Sequence, residues 1–278
     1  MNKGIGILWL LALLFPLPAE CQSEPYSELV DLESGQMYYE TYGEGEPLLL
    51  LHGYFLSGKY WKDDADFFSD SFRVYVVDLT GHGKSGDFED EVSIPEAADD
   101  LNALLEYLEL DSVYAIGLSY GADLLFHLAA RHPGKIRAMV TIGGVGTSDL
   151  SVNAKLINKF DYKNIENNAW MRWHQEGNER RVKWLCDHFP AYQCYMSDEM
   201  LKNVTAPALL MIGDDDENMP LEQVIRVRKN VPNTDLWILP ETGHVANGGK
   251  NIGIFRQRSL QFIRKARPVT RNAGTWPD

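Results

Sequence analysis

Gly117-Leu-Ser119-Tyr-Gly121 is the stretch of this chain whose residue types and spacing could do chemistry. A serine hydroxyl becomes a useful nucleophile once a base takes its proton, and it must stand clear of its neighbours to reach an acyl carbon. Glycines two residues before and two after lack the side chains that would crowd a sharp turn, so Ser119 is the candidate nucleophile. Five residues with three fixed are weak evidence in isolation. Their context strengthens them: the apolar run 113–116 before, and Leu124, Leu125, Leu128 and Ala129 after, read as strand, turn and helix with one buried stripe. The helix N-terminus would lie beneath the serine, where unpaired amides and the positive end of the dipole favour a developing anion.

The natural base near neutral pH is histidine. Of the seven histidines, His244 follows the apolar run 236–239 in Pro240-Glu-Thr-Gly-His244, a loop where glycine permits a close approach. His127 and His132 fall on the helix behind the serine and read as structural, and His174 and His188 fall in a later polar segment. The acid that orients the base should leave the carboxyl end of a strand. Asp214, Asp215, Asp216 and Glu217 all follow Met211-Ile212-Gly213, with Asp149 after an earlier strand as the weaker alternative, so the residues leave several candidates open.

These side chains need a common edge to meet on. Pro47–Leu51 is a continuous apolar run, as suits a strand buried on both faces, and the runs 72–77, 113–116, 138–142, 208–212 and 236–239 repeat the theme. Helical patterns fill the gaps at 60–68, 94–108, 120–132, 221–230 and 251–266, the second opened by Ser93 as cap and Pro95 in the first turn. Strands alternating with helices of this length imply right-handed crossovers and an α/β fold with a mostly parallel central sheet. Residues 26–42 read as an added hairpin turning at Glu33-Ser-Gly-Gln36. Over 146–203 the strand rhythm stops. That segment is polar, aromatic and helical, with Phe160, Trp170, Trp173, Trp184, Phe189 and Tyr192, and is expected to form a small helical cap above the sheet edge whose aromatics mostly pack its own core.

The chain divides accordingly into a leader (1–19), a first core part (20–145), the helical insertion (146–203), a second core part (204–266) and a flexible tail (267–278). The leader joins Lys3 to a short apolar run ending at Pro-Leu-Pro-Ala19, the pattern of a secretory signal, too short for a comfortable membrane span; export is therefore expected, periplasmic or secreted in a bacterium. Lipid anchoring at Cys21 is the minority alternative. Asn203-Val-Thr205 is a glycosylation sequon, relevant only in a eukaryotic secretory pathway. A net charge of -14 with no dense basic tract argues against a nucleic-acid partner. Cys186 and Cys194 could pair or stay separate, and even with His188 between them they lack a fourth ligand for structural zinc.

Taken together, Gly117-Leu-Ser119-Tyr-Gly121, His52-Gly53-Tyr54-Phe55, Asp78-Leu-Thr-Gly81-His-Gly83-Lys-Ser85, Gly213-Asp-Asp-Asp216 and Gly243-His244 resemble the α/β-hydrolase superfamily, in its single-chain branch with a cap after the sixth strand. The likeness spans residues 26–266, and the order Ser, Asp, His matches that fold. The resemblance implies Asp216 as the acid, and backbone amides of Tyr54 and Tyr120 as the oxyanion hole, with His52 structural. It also marks a departure at Thr80, where many relatives carry arginine. Serine at the elbow argues against dehalogenase and epoxide-hydrolase relatives, which place aspartate there. The expected activity is carboxylesterase- or lipase-like cleavage of small or medium, neutral or apolar esters, without metal or organic cofactor. The alternatives are another acyl or carbon-carbon bond hydrolase, such as an aminopeptidase or lactonase, and a receptor-like binder with little turnover.

Overall fold

The computed structural model describes residues 25–88, 93–149 and 154–266. The expected leader, Cys21 and the tail 267–278 lie outside the described residues. A hairpin of β1 (Tyr26–Leu32) and β2 (Gly35–Tyr42) comes first, followed by β3 (Pro47–Leu51), α1 (Lys62–Ser69), β4 (Arg73–Asp78), α2 (Ile94–Tyr107), β5 (Val113–Leu118), α3 (Tyr120–Arg131) and β6 (Ile136–Ile142). A segment of short elements follows: β7 (Ser148–Asp149), α4 (Ala154–Lys159), α5 (Tyr162–Ile165), α6 (Ala169–His174), α7 (Glu179–His188), β8 (Gln193–Cys194) and α8 (Asp198–Lys202). The chain then returns to the sheet with β9 (Ala208–Gly213), α9 (Leu221–Asn230), β10 (Thr234–Leu239) and α10 (Ile252–Lys265).

Eight strands pair in the order β1-β2-β4-β3-β5-β6-β9-β10, with β2 antiparallel to its neighbours β1 and β4 and the rest parallel. The apolar runs are continuous because the pleat sends alternate residues into two different cores. Leu49 and Leu51 of β3 join Ala115, Met139 and Leu210 under α2 and α3. Leu48 and Leu50 join Trp61, Phe68 and Phe255 on the opposite face. The chain leaves β3 towards β4 on one side and returns to β5 on the other, so the carboxyl ends of β3 and β5 flank the point where strand order reverses. A crevice opens at such a point. His52-Gly53-Tyr54 and Ser119 therefore face each other across it, and β9 and β10 end two and three strands beyond β5.

Two expectations need correction. α3 is buried on every side from Tyr120 to Ala129, where a single stripe was expected, because the sheet, α2 and α8 cover it from different directions. The aromatics of the segment between β6 and β9 also do not mainly pack a core of their own. Phe160 stacks on Phe55 at 4.9 Å, Phe189 and Tyr192 lie 5.4 and 5.7 Å from the Tyr54 ring, and Trp184 stacks on Phe88 at 4.9 Å. Trp170 and Trp173 are half exposed. Short polar helices of four to ten residues enclose too little volume for a private core, so their apolar faces are buried on the loops beneath.

Candidate active site

Ser119 sits between β5 and α3 with φ 51° and ψ -113°, in a region that a residue with a side chain adopts only when its surroundings force it. Two close approaches do so. A Cβ at Gly117 would lie 2.6 Å from the Gly121 carbonyl oxygen, and one at Gly121 would lie 2.6 Å from that of Leu51. Only hydrogen at both positions lets the turn close against β3. Ser119 N donates to Ile142 O at 2.7 Å, and Ser119 O accepts from Asp123 N at 2.9 Å, which tie the turn to β6 and to the first turn of α3.

His244 leaves the loop after β10 and crosses the end of β6 to reach the serine. A Cβ at Gly143, the residue after β6 with φ 61°, would lie 2.9 Å from the His244 ring, so this glycine clears its path. His244 Nε2 is 2.9 Å from Ser119 Oγ, and Nδ1 is 3.0 Å from both carboxylate oxygens of Asp216. A carboxylate only accepts, so it fixes the proton on Nδ1 and leaves Nε2 as acceptor for the Ser119 hydroxyl. The Asp216 side chain is 1% exposed, and its Oδ1 also accepts from Asn218 N at 2.8 Å and Met219 N at 3.1 Å. Asp214 and Asp215 are exposed. Asp214 Oδ1 accepts from Thr242 N at 3.2 Å, which ties the acid's loop to the histidine's loop. Asp149 is in the two-residue strand β7.

Gly53 abuts the serine: a Cβ there would be 3.5 Å from Ser119 Cβ. Tyr54 follows it, and its ring meets that of Tyr120 edge to face at 5.6 Å. Both line a cavity of about 160 Å³ that Ser119 and His244 also face, with Phe55, Phe160, Phe189 and Met219 among its walls. Among the described residues the lining contains no lysine or arginine. Its one carboxylate, Asp123, accepts from Val145 N at 3.0 Å, Gly146 N at 2.8 Å and the Tyr192 hydroxyl at 2.8 Å. Burial pushes its carboxyl up to about 6 against these bonds.

The remaining expected residues fall around this centre. His52 Nε2 accepts from Leu79 N at 3.0 Å, and Nδ1 lies 2.9 Å from Gly53 O, a neutral ring that ties β3 to β4. Thr80 Oγ1 donates to Asp100 at 3.3 Å, and the guanidinium reaching its loop comes from α7: Arg181 donates to Ser85 O at 2.8 Å and to Gly83 O. Cys186 and Cys194 are separate buried thiols. Cys194 points at His127 Nε2, 3.3 Å away, which resolves the open question of their pairing. Among the described residues no three His, Cys, Asp or Glu side chains cluster as metal ligands, and no helix is long and apolar enough to cross a membrane. Sequence reasoning missed Asp123, Gly143, His174 and Gln175. Gly143-Gly144 directly after a strand was a usable signal, whereas the other three depend on contacts between distant segments.

Buried rings near the site set a pH dependence. Burial holds His82, His127 and His174 down to about 4, and His52 well below its usual range. The unfolded chain binds these protons near pH 6.5 and the folded chain does not until about 4, so folding loses stability as pH falls through that window. Asp78 and Asp123, both pushed up to about 6 by burial, oppose this by taking protons first in the folded chain. Asp64 and Asp100, also pushed up by burial, act in the same sense as these carboxyls, but the four rings outweigh them because their ordinary titration near 6.5 falls inside the range from pH 7 to pH 5, and each uncompensated proton contributes about 1.4 kcal/mol per pH unit. The urea midpoint is therefore expected to drop between pH 7 and pH 5. A flat or rising midpoint over that range contradicts the buried neutral rings.

Comparison with known proteins agrees with this architecture. Residues 46–163 match the family model described as the alpha/beta hydrolase fold. The chain is 22% identical over 231 residues to (E)-2-((N-methylformamido)methylene)succinate hydrolase of Acinetobacter baylyi, covering 76% of this chain and 88% of that one. It is 26% identical over 274 residues to a 2-hydroxy-6-oxononadienedioate/2-hydroxy-6-oxononatrienedioate hydrolase of Burkholderia vietnamiensis, covering 83% and 91%. The solved structure of naproxen esterase from Bacillus subtilis superposes with a TM-score of 0.71 at 19% identity, covering 86% and 92%.

Proposed function

This chain belongs to the α/β-hydrolase superfamily, and on that premise we propose that it is an exported serine hydrolase that cleaves carboxylic esters through Ser119, His244 and Asp216. The observation that carries this reading is the unbroken line from Ser119 Oγ through the His244 ring to the buried Asp216 carboxylate, opening on an apolar cavity. Export rests on the sequence of residues 1–19.

The chemistry follows from the protonation pattern. His244 Nε2 takes the Ser119 proton as Oγ bonds to the acyl carbon, and the carbonyl oxygen becomes an oxyanion facing the amides of Tyr54 and Tyr120. The imidazolium is stabilised by Asp216 and gives its proton to the departing alcohol oxygen as that bond breaks. Water, deprotonated by the same ring, then attacks the acyl-enzyme and releases the acid and free Ser119.

Cavity size and lining narrow the substrate. At about 160 Å³ the cavity is close to the ~150 Å³ at which an apolar protein cavity takes up benzene, so an acyl group of roughly six carbons fills it. Among the described lining residues no lysine or arginine is present to counter a second carboxylate on the acyl chain, and Asp123 stands there instead. This favours neutral esters over the dioate named for the Burkholderia relative. In a panel of p-nitrophenyl esters, kcat/KM is expected to rise from acetate to a maximum between butyrate and hexanoate, with up to roughly tenfold per methylene. It should fall for laurate, and an adipate monoester should react at least ~10-fold more slowly than its neutral isostere. A monotonic rise to long chains, or a preference for the adipate, would refute the pocket assignment. Absence of a fluorophosphonate adduct on folded protein would favour a binder over an enzyme.

A further inference from the structure

His174 and Gln175, adjacent at the end of α6, are completely buried although Trp170 and Trp173 on the same short helix are half exposed. Gln175 Nε2 and His174 Nδ1 are spent on the loop that begins with Tyr54, while His174 Nε2 is buried without a hydrogen-bond partner among the described residues. Gln175 Nε2 donates to Phe55 O at 3.0 Å and to Leu56 O at 3.1 Å, and its Oε1 accepts from Gly83 N at 3.1 Å. Both protons of the amide and its oxygen are thereby engaged. His174 Nδ1 accepts from Ser57 N at 3.1 Å and lies 2.8 Å from Ser57 Oγ. A ring that accepts a backbone N–H at Nδ1 is neutral and carries its proton on Nε2.

These bonds act on a segment whose own backbone ties are two turn bonds, Leu56 N to Gly53 O and Tyr60 N to Ser57 O, each at 3.0 Å. Phe55 has φ 64°, in the left-handed region that a bulky aromatic residue enters only under constraint. Its carbonyl and that of Leu56 point into a buried region where an unpaired group is costly. From the core side, Gly58 N donates to Asp78 Oδ1 at 2.5 Å. From the opposite side His174 and Gln175, some 117 to 120 residues away in the chain, supply side-chain partners to residues 55–57. The Tyr54 N–H shares its peptide plane with Gly53 O, which accepts from His52 Nδ1 at 2.9 Å and from Leu56 N at 3.0 Å, so through Leu56 its direction depends on the held stretch.

We propose that His174 and Gln175 are positioning residues for acyl transfer: by fixing the backbone of residues 55–57 they aim the Tyr54 N–H at the oxyanion, and the donor is in place only while α6 is seated on the core. This rests on the serine-hydrolase reading above. The consequence lies in the transition state, because a misdirected amide still admits the substrate but no longer meets the charge that develops on its oxygen.

The test measures ester hydrolysis per Ser119 titrated with a fluorophosphonate, so that any loss of folded protein does not enter. Gln175→Met, which fills the same volume, and His174→Ala are expected to lower kcat by roughly 10- to 100-fold, with KM within about threefold of wild type. Affinity for a trifluoromethyl ketone, whose adduct carries the same oxyanion, should fall by the same factor as kcat/KM. His174→Asn, whose Oδ1 can accept from Ser57 N, should recover most of the loss. A merely structural role would lower thermal stability while kcat per titrated site stayed constant. Unchanged kcat in both variants, or a rise in KM alone, overturns the positioning role and leaves the hydrolase reading standing. A wild-type protein that neither turns over an ester nor takes the ketone at Ser119 overturns both.

Discussion

Replacing Ser119 with alanine, or His244 with alanine, is expected to lower kcat for ester hydrolysis by on the order of a million-fold while leaving the fold intact. In the proposed mechanism the two side chains act as one device: without the ring at 2.9 Å the hydroxyl keeps its proton, and without the hydroxyl the ring has nothing to deprotonate except water. Their effects should therefore not add. The double variant is expected to be no slower than the worse single one, and the residual rate reflects binding and the oxyanion donors alone. Fold retention is expected because the His244 side chain is 23% exposed and its loop is held independently by Asp215 N to Thr242 O at 2.9 Å. Steady-state hydrolysis of p-nitrophenyl butyrate, with thermal melts of each variant, checks both parts. A folded His244→Ala protein within tenfold of wild type would assign the base to another residue, and independent multiplicative losses would break the pair into unrelated contributions.

The same geometry explains what the sequence made legible. The strands could be read because Leu48 to Leu51 and their counterparts feed two separate cores on alternate positions, which forces apolar residues throughout. Ser119 could be read because the approach of Gly121 to Leu51 O admits no side chain, and steric necessity leaves a mark in residue type. The choice among Asp214, Asp215, Asp216 and Glu217 left no such mark. Which carboxyl turns inward is decided by the amides of Asn218 and Met219 and by the distance to a loop 28 residues later, so the residues alone kept the cluster open and only the family resemblance singled out Asp216. Asp123, His174 and Gln175 were illegible for a related reason. A buried polar side chain is written in the sequence with the same letter as a solvated one, and its partners lie tens to more than a hundred residues away.

Asp216→Asn is the substitution that tests this choice most sharply, with an expected loss in kcat of about 10,000-fold. Asparagine has nearly the same shape and its oxygen can still accept from Asn218 N and Met219 N, so the turn should persist. What changes is the group facing His244 Nδ1. An amide nitrogen there donates, which drives the ring proton to Nε2, and Nε2 then donates towards Ser119 and can no longer accept its proton. The imidazolium formed in the transition state also loses its counter-charge. Asp214→Asn serves as the control. Asp214 is exposed and its bond to Thr242 N can be made by an amide oxygen, so kcat should stay within about threefold, as for surface changes worth about 0.5 kcal/mol. If Asp214→Asn or Asp149→Asn instead produced the large loss while Asp216→Asn did not, the buried carboxylate at 3.0 Å would be an architectural support, and the acid that orients the ring would have to reach it from a loop arrangement different from this one.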